Sequence, residues 1–332
     1  MTAARSGALG APPWLVWAAL LVVYLVWGST YLGIRVVVES MPPLLTAGLR
    51  FVIAGGILMT ALAARSGAAK LHISKGELVA AGLVGISLLT IANGLVTVGE
   101  KTVPSGLAAL IIGVVPLVIL VLRRLSGERI SKAGVGGVAL GFAGLGVLVV
   151  PRGLSGAADP VGMGMLVVAS TSWAIGSFMS RRLSLPQDGL VATGYQLSIG
   201  GACLLLAGVA TGELPQAQAG GFSEASIWAL LYLILFGSLL AYTAYVWLLR
   251  NAPVTKVATY AYVNPIVALA LGGLILDERL DASMIIGALM IVASVGFIVR
   301  TESGPALRDA AIKSAPIPPL RGRADLMARL RR

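Results

Sequence analysis

Few side chains in the long apolar stretches of this 332-residue chain could do chemistry, and most of these are aromatic or amide groups. They are Tyr24, Trp27, Tyr31, Asn93, Trp173, Ser177, Tyr242, Tyr245, Tyr260 and Asn264. An amide or hydroxyl in hydrocarbon is costly without a partner, so such residues usually face the interior of a helix bundle. We predict that these ten residues line a cavity for a small polar molecule. Helix packing around small residues is the alternative for Trp27 and Trp173.

Two prolines lie close to these polar positions. Asn264 precedes Pro265, which removes a backbone donor and frees a carbonyl one turn earlier. The amide of Asn264 therefore either satisfies that broken turn or donates hydrogen bonds to a substrate. Pro116 and Pro265 are predicted to kink their helices, either as hinges or as static kinks needed for packing.

The sequence disfavours catalytic and metal centres. Cys203 is the single cysteine and His72 the single histidine, so neither an intrachain disulfide nor a His/Cys metal cluster can form. Gly153-Leu-Ser155-Gly156 mimics the serine motif of membrane rhomboid proteases, but we place it across the membrane from His72, so no Ser–His pair forms. We predict no catalytic residues, no metal and no cofactor, and an intramembrane enzyme remains only as a rival hypothesis.

The elements that must position these side chains are membrane-spanning helices. The chain is 57% apolar and 12% charged, about half the charged fraction of a soluble domain. About 20 apolar residues cross a bilayer core. On this basis we predict ten spans: 14–36, 44–64, 77–98, 103–122, 133–150, 161–180, 190–210, 226–248, 255–275 and 283–300.

Positive charge predicts the orientation of these spans. With the N-terminus in the cytoplasm, 20 of the 25 lysines and arginines fall on the cytoplasmic side, where such residues accumulate. Both termini are then cytoplasmic, in a multi-pass membrane protein. The net charge of +11 is explained by this topology and by a basic tail, so nucleic acid is not expected as a partner.

The two halves of the chain repeat each other. Trp27 and Trp173 are each followed eight residues later by an arginine, Arg35 and Arg181. Pro116 and Pro265 are each followed by a Glu-Arg pair, Glu128-Arg129 and Glu278-Arg279. Because each half has five spans, the halves are inverted, as in many secondary transporters with a site between their repeats. The predicted segments are 1–13, a cytoplasmic N-terminus; 14–152 and 153–300, the two repeats; and 301–332, a basic cytoplasmic tail.

The chain resembles the EamA-type branch of the drug/metabolite transporter superfamily. The resemblance is carried by Trp27-Gly-Ser-Thr-Tyr31, Leu49-Arg50-Phe51 and the paired Pro…Glu-Arg blocks, over about residues 14–300. It implies an all-α membrane protein of ten transmembrane helices in two inverted five-helix repeats, in a bacterial or archaeal plasma membrane. It also implies secondary transport of small metabolites, with export of neutral or aromatic amino acids or related compounds as the main expectation. Multidrug or toxic-compound efflux is the alternative, and the chain is expected to be a monomer or homodimer.

The sequence says least about whether substrate transport is coupled to the movement of protons. A proton-coupled antiporter usually needs a carboxylate within the membrane. No Asp or Glu lies near the middle of a predicted span, and Glu77, Glu100 and Asp277 all lie at span ends. We therefore expect facilitated diffusion down the substrate gradient, or weak coupling through a group at a span end.

Overall fold

The computed structural model describes residues 12–314, apart from 129, 156–158, 181, 253–256, 258, 277, 279 and 280. Ten helices dominate this described part. They are α1 (Pro13–Val38), α2 (Pro43–Ser66), α3 (Lys75–Gly99), α4 (Ser105–Leu125), α5 (Lys132–Ser155), α6 (Pro160–Ser180), α7 (Gly189–Ala210), α8 (Glu224–Leu248), α9 (Tyr260–Ile275) and α10 (Ala282–Ser314).

The helices have the length and composition of membrane spans. Eight are long and apolar enough to cross a bilayer, and two shorter apolar stretches, Val263–Ile275 and Ala282–Ile298, complete ten. The predicted fold class, an all-α membrane protein of ten helices in two halves, is therefore confirmed. The basic tail was predicted to begin at residue 301, but α10 continues as a helix to Ser314. Residues 315–332 of the tail and 1–11 of the N-terminus lie outside the described residues.

Polar residues at the helix ends explain where several spans begin. Ser74 and Glu77 form a capping box at the start of α3, and the Ser223 side chain accepts from the Ser226 N–H at the start of α8. Asp188 caps α7 through the Leu190 N–H. These side chains satisfy backbone donors that a helix leaves free at its N-terminus, so each span starts at a defined residue.

The packing order repeats when each helix is exchanged for the one five places along the chain. Helix α1 packs on α8 and α9, and its counterpart α6 packs on α3 and α4. The most extensive contacts pair α2 with α7 and α5 with α10. This arrangement places α1, α3, α4, α6, α8 and α9 around the region where the two halves meet.

Glycines permit the closest of these contacts. A Cβ on Gly287 of α10 would lie 3.0 Å from the Gly144 carbonyl of α5, and the Ser294 hydroxyl donates to the Gly137 carbonyl at 2.6 Å. Gly137 and Gly287 therefore both lie in the contact between α5 and α10, within one chain.

The α2–α7 contact provides a matched test of this packing. A Cβ on Gly48 would lie 2.7 Å from the Leu205 amide nitrogen, whereas a Cβ on Gly56 of the same helix meets nothing within 4 Å. Gly48→Ala is expected to destabilise the detergent-solubilised protein by about 1–3 kcal/mol, because backbone must move to accept the methyl group. Gly56→Ala should leave the thermal midpoint unchanged or raise it. Equal midpoints for the two variants would contradict the observed helix pairing.

Candidate functional site: a cavity between the two halves

A cavity of about 110 Å³, measured as the space open to the centres of water molecules, lies where the halves meet. A single water needs about 10–15 Å³ on this measure, so the cavity can hold several waters or a small molecule. Residues from both halves line it: Trp27, Thr30, Tyr31, Ile34, Arg50, Phe51, Leu89, Ala92, Asn93, Val96, Ala109, Ile112, Gly113, Val115, Ala169, Trp173, Leu197, Gly237, Ser238, Tyr242, Tyr260, Ala261, Asn264 and Pro265.

Two stretches of π-helix border this cavity at matching places in the two halves. Ile86–Asn93 interrupts α3, and Leu233–Ala241 interrupts its counterpart α8. π-helical segments are rare and occur often at functional sites, where they shift side chains and backbone groups out of α-helical register. Here the segments bring Asn93 and Gly237 to the cavity wall. The Gly237 carbonyl accepts a hydrogen bond of 3.3 Å from the Trp27 indole nitrogen.

Aromatic rings from both halves surround Trp27. Its ring centroid lies 6.3 Å from that of Trp173, edge to face, and 5.4 Å from that of Tyr260. Tyr242 and Tyr245 complete the group at 6.2 and 4.9 Å. These separations fall in the range in which aromatic pairs attract each other beyond their simple burial. The aromatic cluster, defined as these five residues, fixes one wall of the cavity.

The polar groups of the wall are mostly held by the protein itself. The Tyr242 hydroxyl donates to the Gln196 side-chain oxygen at 3.1 Å, and the Asn93 amide donates to the Leu88 carbonyl at 3.1 Å. Asn264 is buried, and its amide nitrogen, when oriented toward them, reaches the carbonyls of Tyr24 and Tyr260 at 3.3 and 3.2 Å. Asn264 thus bonds backbone near Pro265 and lines the cavity as well.

Seven of the ten residues predicted to line a cavity lie around this one, and their role in binding a substrate stays a prediction. Three lie elsewhere. The Tyr24 hydroxyl bonds to the Thr259 hydroxyl, and the Tyr24 ring packs on the apolar cluster around Leu20. Tyr245 belongs to the aromatic cluster but stands behind Trp27, outside the cavity lining. Ser177 lies one turn beyond Trp173, past the lining.

The two prolines have different surroundings. Pro265 lies inside the continuous helix α9 and lines the cavity. Pro116 lies in the first turn of the second part of α4, after an interruption at Gly113 and Val114 that divides Ser105–Ile112 from Val115–Leu125. Proline fits the first turn of a helix without strain. A role as a hinge stays a prediction for both.

The residue that the sequence analysis missed is Arg50. None of the ten residues predicted to line a cavity is charged, but the Arg50 side chain lines this one and is only 7% exposed. Its Nε donates to the Ser238 hydroxyl at 2.8 Å, and its guanidinium carbon lies 4.8 Å from the Phe51 ring centroid. No described residue forms a salt bridge with it. The sequence does contain a signal for this residue: Arg50 lies within the predicted span 44–64, and an ionisable residue within a span usually marks a functional site.

Contacts of charged side chains join neighbouring segments at each end of the bundle. At one end, Glu278 accepts from the Ser105 and Gly106 amides at 2.7 and 3.0 Å, so it caps α4 from the other half. At the opposite end, its repeat counterpart Glu128 binds Arg123 at 2.7 Å and Arg182 at 3.0 Å. The hydrogen bond from Arg123 holds the pKa of the Glu128 carboxyl below its usual range. Glu278 therefore joins the two halves of the chain.

A multi-pass helical bundle with a central cavity between repeated halves is the architecture of a membrane transporter. Sequence comparison gives the family: the chain belongs to the EamA-like transporter family, which matches it twice, over residues 13–150 and 160–300. It is 41% identical over 258 residues to the uncharacterized inner membrane transporter YedA of Escherichia coli strain K12, covering 77% of this chain and 81% of that protein.

More distant relatives agree with this assignment. The uncharacterized transporter YvbV of Bacillus subtilis is 29% identical over 288 residues, covering 86% of this chain and 92% of the relative. A solved structure titled "Crystal structure of protein" shares the fold with a TM-score of 0.57 at 20% identity, covering 87% of this chain and 98% of that one. The predicted membership of the EamA-type branch is therefore confirmed.

Trp27 and Trp14 are predicted to contribute unequally to the stability of the protein. Trp27 contacts four aromatic rings, whereas Trp14 is 69% exposed on the helix surface. Trp27→Ala is expected to destabilise the protein by about 3–5 kcal/mol, because it opens a cavity among packed rings. Trp14→Ala is the control and should shift the thermal midpoint in detergent little. A Trp27→Ala variant as stable as the control would contradict the packing described above.

Proposed function

We propose that the protein is a secondary transporter that carries neutral or aromatic amino acids, or related small carboxylic acids, through the cavity between its halves. The observation that carries this proposal is the buried Arg50 guanidinium in a cavity that Trp27, Trp173, Tyr242 and Tyr260 also line. A guanidinium binds a carboxylate through two parallel hydrogen bonds. The aromatic cluster then receives the apolar side chain of the same molecule.

Burial makes Arg50 selective for anions. A cation in a low-dielectric site is costly without a counter-charge, and no described acidic side chain supplies one within salt-bridge distance. A substrate carboxylate would supply it. The same charge repels cationic drugs, which disfavours multidrug efflux of the cationic type. Its Nε bond to Ser238 holds the guanidinium edge in place for this role.

The repeated architecture supports transport by alternating access. Exchange of conformation between two inverted halves opens the same site first to one side and then to the other. The π-helical segments of α3 and α8, with Pro116 and Pro265, are our candidates for the moving parts. The lysine and arginine count places the Glu128 end in the cytoplasm. Export down an outward substrate gradient is the direction that we propose.

Substitution of Arg50 tests the carboxylate site. Arg50→Gln is expected to weaken binding of L-phenylalanine by at least about 2 kcal/mol, or about 30-fold, because it removes a buried charge-assisted pair. Binding would be measured by isothermal titration with purified protein, with Arg65→Gln, an exposed arginine of the same helix, as the control. Phenethylamine, which lacks the carboxylate, should bind poorly to every variant. Unchanged L-phenylalanine affinity in Arg50→Gln would refute the assignment.

Transport itself is tested by comparing the metabolites that cells release with and without the protein. Cells that carry it should release more of one or more amino acids or related acids, and the Arg50→Gln variant should abolish the increase. If no metabolite changes while an ion current appears, the transporter is not a metabolite exporter.

A further inference from the structure

Glu100 is a buried carboxylate that the proposed function does not use. It lies in the connection between α3 and α4, one residue beyond α3, and its side chain is 0% exposed. Neither carboxylate oxygen has a hydrogen-bond partner in the described part of the chain. A buried carboxylate without partners is costly when charged, so it favours the protonated form. Burial raises the pKa of the Glu100 carboxyl well above its usual range, and the neighbouring Glu278 raises it further.

The charged groups around Glu100 come from three other segments. Arg35 and Arg50 favour its ionised form, Glu278 opposes it, and Tyr31 is a further ionisable neighbour. Arg35 is occupied elsewhere: its guanidinium donates to the backbone carbonyls of Glu100 and Lys101. Glu278 is likewise committed to the N-terminus of α4. Arg50 is thus the neighbour whose charge substrate binding would change.

Nearby in the connection, Lys101 is exposed, and Asp159 accepts a hydrogen bond from Thr102 at 3.0 Å. Neither the Lys101 nor the Asp159 side chain is buried as Glu100 is. The adjacent positions 277 and 279 lie outside the described residues. Of these neighbours of Glu100, Arg50 and Tyr31 also line the substrate cavity, and Arg50 is the one that carries a charge.

Arg50 also lines a second, smaller cavity. It measures about 10 Å³, and its lining includes Arg50, Ile34, Val37 and Thr97. A space of that size is about what one water requires. Thr97 lies three residues before Glu100 on the same helix end, so it shares a face with Glu100. Because Arg50 lines both cavities, its side chain connects the substrate cavity with the space that Thr97 lines.

We propose that Glu100 is a proton-binding site that competes with the substrate carboxylate for the charge of Arg50, so that substrate binding takes up a proton. The proposal rests on the proposed function, since it names what happens at the same arginine. When Glu100 is ionised, it partly neutralises Arg50 and weakens the hold on a substrate anion. When a substrate carboxylate neutralises Arg50, Glu100 loses one of the two positive charges that favour its ionised form, and it binds a proton. No covalent bond forms or breaks other than the O–H bond of the Glu100 carboxyl.

The sign of this linkage fixes the direction of coupling. A proton and a carboxylate bind together, so they move in the same direction across the membrane. An acidic exterior therefore opposes export, and export draws on the substrate's own outward gradient. Transport would respond to pH although no carboxylate lies in the middle of a span.

The test uses full-length protein in proteoliposomes clamped at zero membrane potential, with labelled L-phenylalanine as the probe. A pH difference of one unit should drive the wild type to accumulate the probe on the alkaline side, up to about tenfold for one proton per substrate. Glu100→Gln should only equilibrate the probe while still exchanging it for unlabelled L-phenylalanine. Glu100→Asp should retain accumulation, and Glu39→Gln, an exposed glutamate at the end of α1, should match the wild type. Accumulation by Glu100→Gln equal to wild type would overturn the proposal.

A second measurement tests proton binding by Glu100 without measuring transport. The infrared spectrum of purified wild-type protein at neutral pH should show a carboxylic-acid C=O band that is missing in Glu100→Gln and strengthens when L-phenylalanine is added. Absence of this band in the wild type overturns the proposal, whatever the transport result and even if Glu100→Gln does not fold. If the wild type exchanges no L-phenylalanine while the Glu100 band is present, the amino acid substrate is refuted and proton binding by Glu100 stands.

Discussion

A guanidinium charge enclosed by helices is the constraint around which the rest of the site is arranged. Arg50 is held by one hydroxyl, Ser238, and by the face of Phe51, and both contacts leave part of its donor edge toward the cavity. Its close approach depends on Gly237, because a Cβ there would lie 3.0 Å from a guanidinium nitrogen. In a low-dielectric interior such a charge is stable only when its donors find acceptors. This requirement is the physical basis of the proposed carboxylate site.

The inverted repeat explains how a buried charge can be reached from either side. The packing order is preserved when each helix is exchanged for its counterpart, and matching π-helical segments border the cavity in both halves. The two halves nevertheless differ in detail, as the repeat glutamates show. Glu278 caps α4, whereas Glu128 binds two arginines at the opposite end. Such a difference between equivalent residues is what one conformation of an alternating-access cycle requires.

Composition and periodicity were sufficient for the coarse architecture, because ten long apolar stretches admit little besides a helix bundle. Seven of the ten predicted residues are among the 24 that line the cavity, since aromatic and amide residues in apolar helices usually face inward. Composition and periodicity failed at Arg50 and Glu100 for a physical reason. Charge counting treats every arginine and glutamate near a span end as solvated, whereas the packing of α1, α2 and α3 encloses both side chains. Burial of this kind depends on contacts between segments far apart in the chain, and a local pattern does not encode it.

The central claim is that a substrate carboxylate binds Arg50 while its apolar part contacts the aromatic cluster. The most direct measurement is an experimental structure of the full chain with bound 4-bromo-L-phenylalanine, located by the anomalous scattering of bromine. The account predicts the carboxylate within hydrogen-bonding distance of the Arg50 guanidinium and the brominated ring beside Trp27. A ligand bound with its carboxylate away from Arg50, or outside the cavity between the halves, would contradict it.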